Sequence, residues 1–147
     1  MLKQQIEILL VEDDPNDLKL TLYALREEHL ANQILIARDG EEALDFLFCR
    51  GSFRDRDPNS LPKLILLDLK LPKVDGLEVL EQVRQNDRTR ALPVVILTSS
   101  RQEEDMVRSY SLGVNSFVQK PVDFDQFIQV VRQIDDFFVG VVKLPRP

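Results

Sequence analysis

Five short apolar runs alternate with segments whose apolar residues recur at helical spacing, and this alternation constrains the fold more than any other feature. The apolar runs are residues 6–11, 33–37, 63–67, 92–97 and 115–118. The first helix begins at Pro15, and the later helical segments are residues 41–48, 76–84, 103–112 and 124–138. Strand–helix alternation of this kind builds a parallel sheet with helices on both faces. The continuous apolar run KLILL at 63–67 is typical of a strand buried on both faces.

Polar side chains follow four of the predicted strands. They are Glu12, Asp13 and Asp14 after strand one, Asp68 after strand three, Thr98, Ser99 and Ser100 after strand four, and Lys120 after strand five. In an open parallel sheet the functional crevice lies outside the carboxyl ends of the strands, where the strand order reverses. Asp14, beside Pro15, is also well placed to cap the first helix. The sequence therefore predicts one polar site at this edge of the sheet.

The residue types at this edge favour phosphoryl transfer. Carboxylates at adjacent strand ends would repel each other unless a cation lay between them. A site with few oxygen ligands and room for water suits Mg²⁺. Lys120 would supply a fixed positive charge and Thr98 a hydroxyl donor, which together neutralise and position the oxygens of a phosphoryl group.

Four motifs carry a resemblance to a known family. They are ILLVEDDP at 8–15, LILLDLKLPKVDGLEVL at 64–80, PVVILTSS at 93–100 and FVQKP at 117–121. Together they resemble the receiver domain of two-component response regulators, over nearly the whole chain. The resemblance implies a flavodoxin-like (βα)5 fold whose five parallel strands lie in the order 2-1-3-4-5.

The resemblance also implies roles at the site. Asp68 is the residue that a partner histidine kinase phosphorylates. Asp13, Asp68 and the backbone carbonyl of Lys70 bind Mg²⁺ directly, and Glu12 reaches the metal through water. Lys120 pairs with the phosphoryl oxygens, and Thr98 hydrogen-bonds the phosphoryl group and moves with it.

Further residues match the structural and switching positions of the family. By resemblance Phe117 is an aromatic side chain that turns inward when Thr98 moves, which changes the face formed by helix four, strand five and helix five. A static core phenylalanine is the alternative. Lys120-Pro121 matches a cis peptide bond, and Asp75-Gly76 the turn that opens helix three. Lys70 departs from the family pattern two residues after Asp68, and we hypothesise that its side chain tunes attack by water on the phosphorylated residue.

The sequence also predicts the domain bounds and the partners of the chain. We expect a receiver domain over residues 1–138 and a C-terminal extension over 139–147, without an output domain. The polar insertion at 50–61 and the tail FFVGVVKLPRP resemble the small receivers paired with cyanobacterial and bacterial phytochrome kinases. Because an apolar chain end needs a partner surface, we expect a homodimer through helix four, strand five, helix five and the tail. Folding of the tail onto its own domain is the alternative.

Composition excludes several classes of protein. The 147 residues fit one domain, and 19 basic against 25 acidic residues give a net charge of −6, which argues against nucleic-acid binding. The single cysteine, Cys49, rules out an intrachain disulfide, and no apolar stretch approaches the roughly 20 residues of a membrane span. We expect a soluble cytoplasmic protein. Arg50, Arg54 and Arg56, interspersed with acids, are expected in a solvated loop, and contact with the kinase is the alternative.

Two competing functions share parts of this pattern. A haloacid-dehalogenase-type phosphatase also uses an Asp nucleophile with Mg²⁺, but it usually carries a second Asp where this chain has Lys70. A pseudo-receiver is a binding module that never takes phosphate, and it usually lacks one of the residues that this chain retains. We expect a phosphoacceptor protein that catalyses only its own phosphoryl transfer and dephosphorylation, and not an enzyme acting on other substrates.

Overall fold

The computed structural model describes residues 6–26, 33–114, 116–122, 125, 126 and 129. The strands are β1 Ile8–Val11, β2 Ile34–Ala37, β3 Leu64–Asp68, β4 Val94–Thr98 and β5 Ser116–Gln119. The helices are α1 Pro15–Arg26, α2 Gly40–Leu47, α3 Gly76–Gln85 and α4 Arg101–Arg108, with a short 3₁₀ helix at Gly51–Phe53.

All five strands are parallel and lie in the order β2-β1-β3-β4-β5. This confirms the predicted flavodoxin-like sheet. The chain passes from β1 to β2 on one side and to β3 on the other, so the strand order reverses between β1 and β3. The ligand crevice of such a sheet is expected at that reversal.

Apolar side chains cover both faces of the sheet. Alternate residues of β1 point to opposite sides, so that Ile8 and Leu10 pack with α1 while Leu9 and Val11 pack with α2 and α3. All four are fully buried. Leu18 and Leu25 of α1 are buried on the first face, as their helical spacing predicts. Truncating one such leucine to alanine would cost about 2–5 kcal/mol, because the cavity could not collapse fully.

Polar residues cap the starts of the helices. Asp14 accepts hydrogen bonds from the backbone N–H groups of Asn16 at 2.8 Å and Asp17 at 3.1 Å, which confirms its predicted role as a cap. Asp39 and Asp75 cap α2 and α3 in the same way. Ser100 caps α4, so this helix begins two residues earlier than the apolar spacing predicted.

β3 and β4 also end one residue later than predicted. Parallel pairing continues through Asp68, opposite Leu97, and through Thr98, opposite Gln119. Both polar residues therefore belong to the strands, because hydrogen bonding between strands uses backbone groups and does not depend on the polarity of the side chains. The chemistry-bearing side chains are consequently held by paired backbone.

The chain beyond β5 is described only in part. Asp125, Gln126 and Gln129 are helical, and they fall within the helix predicted for 124–138. The rest of that helix, the domain boundary at 138 and the tail at 139–147 lie outside the described residues. None of the helices in the described part of the chain has the length and apolar character that crossing a membrane requires.

The polar insertion at 50–61 is held to the domain by one of its arginines. Arg50 and Arg54 are exposed, as expected, but the prediction of a solvated position for Arg56 was wrong. The Arg56 guanidinium donates hydrogen bonds to the backbone carbonyls of Phe46 and Ser60. It also lies 3.8 Å from the centroid of the Phe46 ring. The half-buried guanidinium thus joins the insertion to α2.

A second arginine joins three segments at the opposite end of the sheet from the polar edge. The guanidinium of Arg84, in the last turn of α3, donates hydrogen bonds to the carbonyls of Leu92, Leu112 and Gly113 at 2.7–2.8 Å and of Arg90 at 3.1 Å. Burial lowers the pKa of this guanidinium below its ordinary value. The four carbonyls belong to the segments that lead into β4 and β5.

Candidate functional site

The carboxyl ends of the strands enclose a cleft of about 420 Å³. It is lined by Asp13, Asp14, Pro15, Asp17, Asp68, Lys70, Ser99 and Lys120. Glu12 and Asp13 follow β1, Asp68 ends β3, and Lys120 follows β5. Asp13, Asp68 and Lys120 are therefore brought together across the point where the strand order reverses, whereas Thr98 and Ser100 are not part of the lining.

Three carboxylates form the acidic part of the site. Oxygens of Glu12, Asp13 and Asp68 all lie within 4.8 Å of one another. The Glu12 side chain is fully buried and Asp68 is 5% exposed, whereas Asp13 is exposed. An all-oxygen donor set that is open to solvent on one side fits a hard divalent cation such as Mg²⁺. A cation there would also relieve the repulsion among the three carboxylates.

Lys120 is the positive counterpart of these carboxylates. Its Nζ lies 3.0 Å from Glu12 Oε1, 3.0 Å from Asp68 Oδ2 and 3.1 Å from Asp17 Oδ2. Burial lowers the pKa of Lys120, but the contacts with Glu12 and Asp68 outweigh this effect and leave the pKa above its ordinary value. The side chain is therefore a permanent positive charge beside Asp68. The Lys120-Pro121 peptide bond is cis, as the resemblance implies.

The pKa of the Glu12 carboxyl is shifted strongly from its ordinary value. Burial raises its pKa, the neighbouring Asp68 raises it further, and Lys120 opposes both, leaving a pKa of about 8. Without a cation, the raised pKa favours the protonated form of Glu12. A divalent ion would favour the ionised form, so metal binding and proton release are coupled at this residue.

Asp17 was missed by the sequence reasoning, although its side chain contacts Lys120 directly. It lies in the first turn of α1, three residues after the cap Asp14. An acid in that position is common, because it interacts favourably with the helix dipole. The only sequence signal was thus one that an ordinary helix start also gives.

Thr98 ends β4 directly before Ser99, which lines the cleft. Its Oγ1 is buried and has no hydrogen-bond partner within the described part of the chain. Buried polar atoms of this kind are rare and call for an explanation. The Thr98 carbonyl accepts a hydrogen bond from the Lys120 N–H at 2.8 Å, which joins the ends of β4 and β5. A bound oxyanion would give the hydroxyl a partner.

The loop between β3 and α3 is held tightly against the acceptor strand. The Lys70 N–H lies 3.4 Å from Asp68 Oδ1. The Gly76 N–H donates to the Leu69 carbonyl at 2.8 Å, and no side chain fits at position 76, where a Cβ would lie 2.2 Å from the Asp68 carbonyl oxygen. Asp75 and Gly76 therefore form the turn that opens α3. Metal binding by the Lys70 carbonyl stays a prediction.

Phe117 lies on β5, next to α4. It is half-buried and packs at the edge of the core on the face covered by α2 and α3. The guanidinium of Arg108, from the end of α4, lies 4.5 Å from the centroid of its ring. The Phe117 ring therefore contacts both the apolar core and the guanidinium of Arg108 at the end of α4. Its predicted rotation stays a prediction.

Comparison with known proteins agrees with the motifs. The family model described as the response regulator receiver domain matches residues 8–132. The response regulator Rcp1 of Synechocystis sp. strain PCC 6803 is 39% identical over 138 residues, which are 94% of this chain and 92% of Rcp1. The crystal structure of Rcp1 in its Mn(2+)-bound form has a TM-score of 0.72 at 38% identity, and covers 97% of this chain and 100% of the other.

Two bacteriophytochrome response regulators are more similar in structure. RtBRR has a TM-score of 0.87 and 51% identity, with 98% of this chain and 86% of RtBRR covered. AtBRR has a TM-score of 0.83 and 53% identity, with 98% and 99% covered. The resemblance in the motifs is thereby confirmed, and the chain belongs to the response regulator receiver domain family.

Proposed function

We propose that the chain is a phosphoacceptor signalling protein that takes a phosphoryl group onto Asp68 from a partner histidine kinase, with Mg²⁺ as cofactor. The position of Asp68 is the observation that carries the proposal. One of its carboxylate oxygens lies 3.0 Å from the Lys120 ammonium, and the side chain also belongs to the acidic cluster with Glu12 and Asp13. A nucleophilic carboxylate between a fixed cation and a cation-binding cluster suits phosphoryl transfer.

The residues that would hold the metal are Asp13, Asp68, the carbonyl of Lys70 and, through water, Glu12. When bound, Mg²⁺ supplies positive charge that stabilises the equatorial oxygens of the transferring group. Asp13 is exposed while Glu12 is fully buried, so Asp13 is the better placed of the two for direct contact with a hydrated ion. The Mn(2+)-bound form of Rcp1 supports divalent-cation binding in this family.

The remaining polar groups would receive the phosphoryl group. Lys120 holds its charge at all physiological pH values, and it can exchange a carboxylate partner for a phosphoryl oxygen without moving far. The Thr98 hydroxyl, which has no hydrogen-bond partner among the described residues, can donate to another phosphoryl oxygen. Movement of Thr98 toward that group would leave space that Phe117 can occupy, and the face formed by α4, β5 and the predicted fifth helix would change shape.

Intact mass after incubation with acetyl phosphate and Mg²⁺ tests the acceptor role. We expect the parent to gain one phosphoryl group, and both chelation of the metal and Asp68→Asn to abolish the gain. Asp105→Asn is the matched control, because Asp105 is exposed on α4. An Asp68→Asn variant that still gains mass, or a parent that never does, would refute the proposal.

We further propose that the donor is a phytochrome-type kinase. The support is the similarity to RtBRR and AtBRR, together with the insertion at 50–61 and the tail. Phosphoryl transfer from a phosphorylated bacteriophytochrome kinase should be much faster than transfer from a histidine kinase without a phytochrome sensor. Equal rates from both donors would contradict this pairing and leave the acceptor role intact. A histidine-kinase partner is also consistent with the expected cytoplasmic location.

We also propose a homodimer through α4, β5, the predicted fifth helix and the tail. Tyr110, just after the end of α4, is a large side chain that is 52% exposed, and it supports a contact surface there. Sedimentation of the full chain should show a dimer, and a chain ending at Asp136 a monomer. If both are monomers at micromolar concentration, the dimer proposal fails.

A further inference from the structure

Lys70 and Glu103 form an ion pair at the rim of the acceptor cleft. Lys70 Nζ lies 3.4 Å from Glu103 Oε2, which joins the loop after β3 to the start of α4. The Lys70 side chain is 78% exposed, whereas that of Glu103 is only 16% exposed. The lysine can therefore move, while the glutamate is held in place.

Backbone contacts fix the position of Glu103. Its Oε1 accepts a hydrogen bond from the Ser99 N–H at 2.8 Å. Its own N–H donates to Ser100 Oγ at 3.2 Å, which is the cap of α4. The carboxylate is thus anchored by one oxygen and presents the other to Lys70.

Lys70 stands between two cavities. It lines the cleft that contains Asp68, and also an apolar cavity of about 620 Å³ whose lining includes Glu103 and Met106 but not Asp68. Glu103 lines only the second cavity, so the ion pair draws the ammonium toward that cavity, which Asp68 does not line. A phosphoryl group on Asp68 would carry up to about two negative charges and would compete for the same ammonium.

We propose that Glu103 is a positioning residue that keeps Lys70 off the phosphorylated acceptor and so leaves a path open for water. This inference rests on the proposed function. In hydrolysis, a water oxygen bonds to phosphorus and the bond from phosphorus to the Asp68 carboxylate oxygen breaks. The carboxylate leaves with the electron pair, and the water protons end on phosphate and solvent. Lys70 lying across the phosphoryl group would neutralise its charge and obstruct that water.

Glu103→Gln tests the proposal without removing the contact to Ser99, because the amide oxygen can still accept that hydrogen bond. The charge that attracts Lys70 is lost, so the lifetime of the phosphorylated state should lengthen about threefold, the scale of a partly exposed ion pair. In the Lys70→Ala background the same substitution should leave the lifetime unchanged. Asp87→Asn is the matched control, since Asp87 pairs with Arg90 in the exposed segment after α3, away from the cleft, and should not affect the lifetime.

A second measurement avoids turnover. Beryllium fluoride, a stable mimic of the phosphoryl group, should bind Glu103→Gln about threefold more tightly than the parent, and this gain should vanish when Lys70 is alanine. Equal effects of Glu103→Gln in both backgrounds, or a shorter lifetime, would overturn the proposed role of Lys70. A parent that takes no phosphoryl group at all would instead refute the proposed function.

Discussion

Gly76→Ala probes how closely the acceptor strand and α3 approach each other. A Cβ at position 76 would lie 2.2 Å from the Asp68 carbonyl oxygen and 2.6 Å from Leu69 Cα. Both are backbone atoms, so no side-chain rotation can relieve the overlap, and the contacts fall about 1 Å short of normal van der Waals separation. We expect a loss near the upper end of the range for overpacking, about 3 kcal/mol.

The same displacement should damage the site. Since 1 kcal/mol shifts the melting midpoint by about 2–4 °C in a domain of this size, thermal unfolding should show a decrease of about 6–12 °C. The backbone that must move carries both Asp68 and Lys70, so phosphorylation by acetyl phosphate should slow by at least about tenfold, as expected for a displaced reacting group.

Gly113→Ala separates stability from site geometry. Its Cβ would meet only Arg84 Nε at 3.5 Å, an ordinary contact, but the φ of +67° strains an alanine by about 1–2 kcal/mol. This variant should melt earlier and phosphorylate normally. If Gly76→Ala instead keeps the parental midpoint and rate, the close approach does not constrain the site and the reasoning is wrong.

Three further outcomes follow from contacts in the structure. Because the pKa of Glu12 is about 8 and metal binding favours its ionised form, Mg²⁺ binding should release a proton at pH 7 and should tighten from pH 6 to 8. Calorimetry in two buffers of different ionisation enthalpy measures the proton release. Glu12→Gln should abolish both the proton release and the pH dependence. Arg56→Lys should lower the free energy of unfolding by about 2 kcal/mol, because lysine cannot reproduce the paired hydrogen bonds and the contact with Phe46; an unchanged denaturant midpoint would contradict this. Arg108→Ala removes the cation from the Phe117 ring, so beryllium fluoride should bind about two- to fivefold more tightly if that contact holds the ring in its unphosphorylated position.

The sequence was sufficient to predict the sheet and the composition of its polar edge. Parallel strands place their carboxyl ends together, so Glu12, Asp13, Asp68 and Lys120 had to converge once the strands were recognised. β3 and β4 each end one residue later than predicted, because backbone pairing extends through Asp68 and Thr98, whose side chains are polar.

Contacts between distant side chains were not predictable in the same way. The contact between Asp17 and Lys120 joins residues 103 positions apart in the sequence. An acid in the first turn of a helix is already explained by the helix dipole, so it did not indicate this contact. The pairing of Lys70 with Glu103 depends on how α4 is set against the loop after β3. Arg56 lies among alternating charges that predict solvent, yet its guanidinium donates to the backbone carbonyls of Phe46, in α2, and of Ser60, in the insertion.

The hydrogen bonds of Arg84 fix the position of the chain just beyond the carboxyl end of α4. Its guanidinium fastens Leu112 and Gly113, just beyond the carboxyl end of α4, to the same group that holds the entry to β4. The other end of the helix, at Ser100, is attached next to Thr98. A displacement that starts at Thr98 is therefore expected to rotate α4 about its carboxyl end. The shift of the helix should be small near Gly113 and largest beside the acceptor.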